Sequence, residues 1–145
     1  MTKSTTLFEG LGGESGIRRL AEAWHARCLA DPIVAHAFSH GFHPEHTARL
    51  AAYWTEALGG PARYSGVLGT ETEVVRMHSG NGDAAEMYAA GAACFAAALA
   101  DVGVTDGPLR DRTLAWWADA TERMDGYPEN RDDVPPGLTI PRWNG

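Results

Sequence analysis

Six histidines and two cysteines are the side chains in this 145-residue sequence best suited to bind a metal or move protons. A neutral imidazole ligates iron or zinc, and near neutral pH the same ring gives and takes protons. His78 closes the stretch Thr70-Glu-Thr-Glu-Val-Val-Arg-Met-His78. Thr70 and Glu73 form a capping-box pair that starts a helix, hydroxyl and carboxylate serving orphan backbone N–H groups. Val74, Val75 and His78 share one face, and Gly80 and Gly82 end the element. An imidazole there suits a metal ligand inside a pocket or a hydrogen-bonded core histidine. His46 heads a second apolar stripe with Leu50, Tyr53, Trp54 and Ala57, and His25 sits beside a third. His36, His40, His43 and His46 have helical or near-helical spacings that suit zinc or iron, or else His36 and His40 lie on a solvated face.

These groups have to be positioned by helices, since no segment alternates with period two. Ser15 is read as an N-cap for a helix to about Leu29, with Ile17, Leu20, Ala21, Trp24 and Cys28 inward. Asp31-Pro32 restarts a helix, Asp as cap and Pro where a missing N–H costs nothing, with Ile33, Val34, Ala37 and Phe38 apolar. Pro44-Glu45 opens the His46 helix, which Gly59-Gly60-Pro61 terminates, and residues 61–70 form a surface loop. Asp83 and Glu86 cap the most regular helix, with Met87, Ala90, Gly91, Cys94, Phe95, Ala98, Leu99 and Val102 on one face. The last helix turns Leu109, Thr113, Trp116, Trp117, Ala120 and Met124 inward. Beyond Tyr127-Pro128 the prolines at 135, 136 and 141 leave only extended chain, with Leu138, Ile140 and Trp143 to pack on the domain or on a partner. Residues 1–126 are thus expected as one all-α domain and residues 127–145 as a Pro-rich tail.

A formal charge of −7 with no run of Lys or Arg argues against nucleic acid and anionic membranes as partners. The start has no apolar stretch of signal length, and nothing approaches a membrane span, so a cytoplasmic location is expected. Cys28 and Cys94 fall on apolar helix faces, which makes them buried thiols rather than a disulfide framework.

Taken in order, the motifs resemble the truncated globins, group II in particular, which fold as a two-over-two helical sandwich around haem. The resemblance rests on Leu7-Phe-Glu-x-Leu-Gly-Gly13, Leu29-Ala-Asp-Pro32, Phe38, Leu58-Gly-Gly-Pro61-x-x-Tyr64-Ser65 and His78. It implies haem b with His78 as proximal iron ligand and Phe38 stacked on the porphyrin. His46 then takes the distal position and is a further ligand to iron if close enough, with Leu50 one turn on. His25 falls where the family usually has a ligand-binding tyrosine, and Trp24 where it has a phenylalanine. Tyr64, Arg49, Arg63 and Arg76 are candidates for the haem propionates. Gly91 replaces the usual tryptophan, and Ser79-Gly-Asn-Gly82 replaces a Pro-Phe turn.

The implied function is binding of oxygen, nitric oxide or carbon monoxide, with His46 and then His25 as acid–base groups for peroxidase or nitric oxide dioxygenase chemistry fed by a reductase. Two rivals stand beside it. One is a non-haem metal-binding helical module built on the histidines from 36 to 46, and the other a haemless globin-like sensor or interaction domain working through its tail.

Overall fold

The first turn of the longest N-terminal helix is set by glycine. In the computed structural model, which describes residues 6–36, 45–80, 82 and 84–143, Gly12 takes φ +101° and reverses the chain between α1 (Leu7–Gly10) and α2 (Gly13–Ala30). A Cβ on Gly16 would stand 1.9 Å from the carbonyl oxygen of Leu11, so the two helices meet as they do only because that position is glycine. This turn starts α2 before Ser15, which is not the N-cap: Gly12 is, with no side-chain cap. Asp31 does cap α3 (Pro32–Ala35), its Oδ1 accepting from the N–H groups of Ile33 and Val34 at 2.9 and 3.2 Å. Ala37, Phe38, His40 and His43 lie outside the described residues.

The remaining helices are α4 (His46–Ala57), α5 (Glu71–Met77), α6 (Ala85–Asp101) and α7 (Gly107–Met124). Among the described residues there is no strand, only an isolated bridge between Ser65 and Gly69. No helix among them is long and apolar enough to cross a membrane. α6 begins after Ala84, without a side-chain cap, rather than at Asp83, which lies outside the described residues.

α2 packs against α4 and against α6, and α6 lies beside α7, which gives two helix pairs stacked on one another. Each of the four contributes to one aromatic cluster. Trp54 of α4 meets Trp24 of α2, Phe95 of α6 and Trp116 and Trp117 of α7 at centroid distances of 5.7, 5.6, 6.1 and 5.7 Å, and Phe95 stacks on Trp117 at 4.1 Å. Such pairs add about 0.5–1.5 kcal/mol each beyond area burial. The cluster therefore fixes the relative placement of all four helices. Cys28, Cys94 and Val34 form a smaller buried group between α2, α3 and α6. Both thiols are free, and burial pushes both pKa values up.

The loop at 61–70 is exposed except at Tyr64, which is buried against Tyr53 at 5.6 Å, and at half-buried Leu68 and Gly69. Buried Glu56 organises it, accepting from Tyr64 N–H (3.2 Å), Ser65 N–H (2.9 Å) and Ser65 Oγ–H (2.6 Å). The two glycines before the loop admit the N-terminal segment: a Cβ on Gly60 would lie 2.7 Å from the Phe8 ring, and Gly59 takes φ +101°. The Gly-Gly-Pro-x-x-Tyr-Ser block is thus a structural joint.

The C-terminal chain is not wholly extended. Residues Arg131–Asp133 form a 3-10 turn capped by the Asn130 side chain, which accepts from Asp132 N–H at 2.9 Å. From there it packs back on the helices. Val134 and Ile140 are buried, and Trp143 N–H donates to the Ala57 carbonyl at 2.7 Å.

Candidate functional site

His78 is the C-cap of α5, where the helical hydrogen-bond ladder stops and the ring is free to turn back along its own helix. Its Nδ1 lies 2.8 Å from the carbonyl oxygen of Val74, one turn earlier. A carbonyl only accepts, so Nδ1 carries the proton and the lone pair belongs to Nε2. Metal-ligating histidines are commonly oriented by this kind of bond, which also raises ligand basicity. Solvent reaches the side chain, yet enough protein surrounds it that burial pulls its pKa below the usual imidazole value, against the opposing effect of the Val74 bond. The ring is therefore neutral at pH 7, the form that binds metals.

The surroundings of His78 are tied down from three sides. Thr70 Oγ1 accepts from Glu73 N–H and donates to its carboxylate, both at 3.2 Å, so Glu73 grips the capping hydroxyl rather than a backbone N–H. Ser79 Oγ donates to the Val75 carbonyl at 2.6 Å, and Gly80 and Gly82 N–H groups donate to the carbonyls of Tyr127 and Pro128 at 3.0 and 2.7 Å. Tyr53 donates to buried Glu71 at 2.6 Å, which links α4 to the start of α5. Burial raises the pKa of Glu71 even though the tyrosine bond opposes it.

Two other predicted histidines come together. His25 of α2 and His46, the first residue of α4, are half-buried, with ring centroids 4.9 Å apart and planes tilted by 45°. Burial lowers the pKa of His25. Beside His25, Trp24 donates its indole N–H to the Gly91 carbonyl at 3.2 Å and meets Trp117 at 5.2 Å. Leu50 is half-buried one turn after His46 and packs on the core. His36 is exposed. Among the described residues no three His, Cys, Asp or Glu side chains gather to hold a metal ion, so the His36–His46 module draws no support from them.

The propionate candidates have partners within the chain. Arg49 donates to the Leu68 carbonyl at 3.1 Å, Arg76 to that of Val134 at 3.2 Å, and Arg63 pairs with Glu14 at 2.8 Å. Glu56, the Tyr53–Glu71 link and the Trp24–Gly91 bond are absent from the sequence reading. A glutamate beside the buried run Tyr53-Trp54 was the only signal that could have exposed the first.

A family model described as bacterial-like globin matches residues 6–125. The chain belongs to the bacterial-like globin family. This truncated globin is 31% identical over 111 residues to the group 1 truncated hemoglobin of Tetrahymena pyriformis, covering 77% of this chain and 88% of that one. A structure of truncated hemoglobin from the same organism, a mutant in the Fe(III) form, superposes with a TM-score of 0.69 at 28% identity, covering 83% and 97% of the two chains. The group II truncated hemoglobin of Bacillus anthracis superposes with a TM-score of 0.74 over 92% of this chain and 100% of its own, at 22% identity, a likeness of fold.

Membership of a globin family implies a haem cofactor, and the residues present fit one. His78 offers a neutral imidazole with its lone pair on Nε2. Beyond its chain neighbours and its own helix backbone, buried Gly91 has no described atom within 4 Å of where a Cβ would stand.

Proposed function

We propose that this truncated globin holds haem b through His78 Nε2 and binds a diatomic ligand, oxygen, nitric oxide or carbon monoxide, on the side of His46. The observation that carries this reading is the 2.8 Å bond from His78 Nδ1 to the Val74 carbonyl, which leaves the imidazole in the tautomer of a metal ligand, with its lone pair on Nε2. Haem supplies an iron that binds such ligands when ferrous and reacts with peroxide when ferric. The chain's own groups supply the rest. His46 donates a hydrogen bond toward the bound ligand and moves a proton there, while His25, with its ring 4.9 Å away, is the second acid–base group. Trp24 and Leu50 keep the site apolar. Arg49 and Arg76 each donate one hydrogen bond to a backbone carbonyl and keep further N–H groups for the propionates, with Tyr64 holding the loop between them. The same histidine pair favours peroxidase or nitric oxide dioxygenase turnover as a second activity, with a reductase restoring ferrous iron in the cytoplasm.

Ferric, ferrous and carbonyl spectra of the purified, haem-reconstituted protein test the reading. A stoichiometric haem complex with a ferrous carbonyl band is expected, and a colourless protein that takes up no haem overturns it.

A further inference from the structure

Trp117 belongs to two environments. Its ring stacks on Phe95 at 4.1 Å and stands edge-on to Trp24 and Trp54 at 5.2 and 5.7 Å, inside the aromatic core. The same residue also lines an open groove of about 370 Å³ between α6 and α7, with Tyr88, Ala89, Ala92, Glu122 and Asp125. The groove has the size and the apolar, aromatic lining of a small-molecule site, and it meets solvent at both alanines and both carboxylates. Among the described residues no Lys or Arg lines it, so its charge is negative. Tyr88 marks the acidic end: burial raises its phenol pKa to about 12, and the nearby Asp125 carboxylate adds to the shift.

From the groove a line of indoles leads inward. Trp24, in contact with Trp117, immediately precedes His25 on α2, and the His25 ring lies 4.9 Å from that of His46. Aromatic rings this close exchange an electron readily from one π system to the next. None of these indoles traps the vacancy. Trp24 N–H is held by the Gly91 carbonyl, which is no base, and the buried Trp116 and Trp117 N–H groups have no acceptor among the described residues. An oxidised indole there keeps its proton and passes the vacancy on, which gives the two orphaned donors a redox role.

We propose that the groove between α6 and α7 is an oxidation site for small cationic phenols, which pass electrons inward through Trp117 and Trp24. The inference rests on the haem reading above, with peroxide as oxidant, and names the reducing substrate of that chemistry. Glu122 and Asp125 hold the cationic group, and the aromatic faces beside them hold the ring. One peroxide takes up two electrons and two protons and leaves as two waters. Each of two phenols in turn gives one electron to Trp117 and its O–H proton to solvent at the open rim, and departs as a phenoxyl radical. His46 and His25 deliver the two protons that peroxide takes up.

Tyramine and para-hydroxyphenylpropionate, the same phenol with opposite charge, test this on the haem-loaded protein. Tyramine should bind without peroxide, as seen by saturation-transfer NMR, and with peroxide its kcat/KM should exceed that of the anion about fivefold at low salt, a margin that high salt removes. The double variant Glu122→Gln, Asp125→Asn should weaken tyramine binding about fivefold and bring the two phenols level. Freeze-quenched with peroxide alone, the protein should show an indole radical by electron paramagnetic resonance. Tyramine added first should suppress that signal in the parent protein and not in Trp117→Phe. If Trp117→Phe does not fold, the double variant decides, since both its positions are exposed. Equal kcat/KM for the two phenols, oxidation of neither, absence of the radical, or full suppression in a folded Trp117→Phe protein overturns this inference and leaves the haem reading standing. A chain that takes up no haem overturns both.

Discussion

The carbonyl oxygen of Val74 receives the Nδ1 proton of His78 across 2.8 Å, so one backbone atom sets both the direction and the tautomer of the imidazole. The helix end makes this possible. Inside a helix the Val74 carbonyl would be committed to the N–H four residues on, but His78 N–H bonds to Val75 instead. The bond thus depends on α5 stopping where it does, and Ser79, Gly80 and Gly82 hold that stop through their own bonds.

Removing the ring should remove the cofactor. His78→Ala is expected to lose haem during gel filtration, with haem transfer to an acceptor apoprotein at least about tenfold faster, since a few kcal/mol of axial bonding is lost. Added imidazole should partly restore it in His78→Gly. The absorbance ratio of haem to protein is the measurement. Loss of haem in His46→Ala with retention in His78→Ala inverts the assignment.

On the other side of the pocket the expectation differs. His46→Ala should keep haem but release oxygen faster and react with peroxide about a hundredfold more slowly, the usual scale for a lost general acid–base group. His25→Ala should have the smaller effect of the two, because its ring acts beside that of His46 at 4.9 Å. Stopped-flow rates on the two variants check the order. Equal rates in both variants and the parent protein would remove the pair from the chemistry.

Acid should loosen the joint that leads to α5. Burial raises the pKa of Glu56, but hydrogen bonds from Ser65 and Tyr64 outweigh it, and the net shift is downward. A carboxylate with a depressed folded pKa stabilises fully above its unfolded value of 4.5 and loses that contribution as pH falls through the folded value. Glu56→Gln is expected to cost about 1.5–3 kcal/mol at pH 7 and to flatten the fall in melting temperature below pH 4.5. Calorimetry from pH 7 to pH 3 follows it, and parallel curves for the two proteins would count against the role.

Much of this was legible in the sequence, and the misses have physical causes. The stripes of α6 and α7 follow from three-and-four spacing, and their predicted inward residues include Phe95, Ala98, Trp116 and Trp117, all buried. The start of α2 did not follow, because Ser15 has the chemistry of a cap while the turn is made earlier by Gly12 with positive φ. Prolines rule out helix after residue 134 but say nothing about which surface Val134 will meet. The His25–His46 pair joins residues 21 positions apart and emerges only when α2 packs on α4. No side-chain pattern announces the Val74 carbonyl, so the tautomer of His78 was beyond reach.

The segment after α7 supplies the last test. Val134 is 1% exposed and Ile140 6%, and burying two such side chains contributes roughly 3–6 kcal/mol before chain entropy is counted. Specific bonds fix its path: Thr72 Oγ1 donates to the Pro135 carbonyl and accepts from Leu138 N–H, and Arg142 donates to the Gly60 carbonyl. Through Arg76, which donates to Val134, the same segment reaches the His78 helix. Deleting residues 132–145 should therefore lower the melting temperature by at least about 5 °C and speed haem loss, because α5 loses the chain that packs beside it. Thermal unfolding and haem transfer on the truncated protein measure both. A truncated protein as stable as the parent, but unable to bind a partner that the full chain binds, would mark the segment as an interaction tail instead.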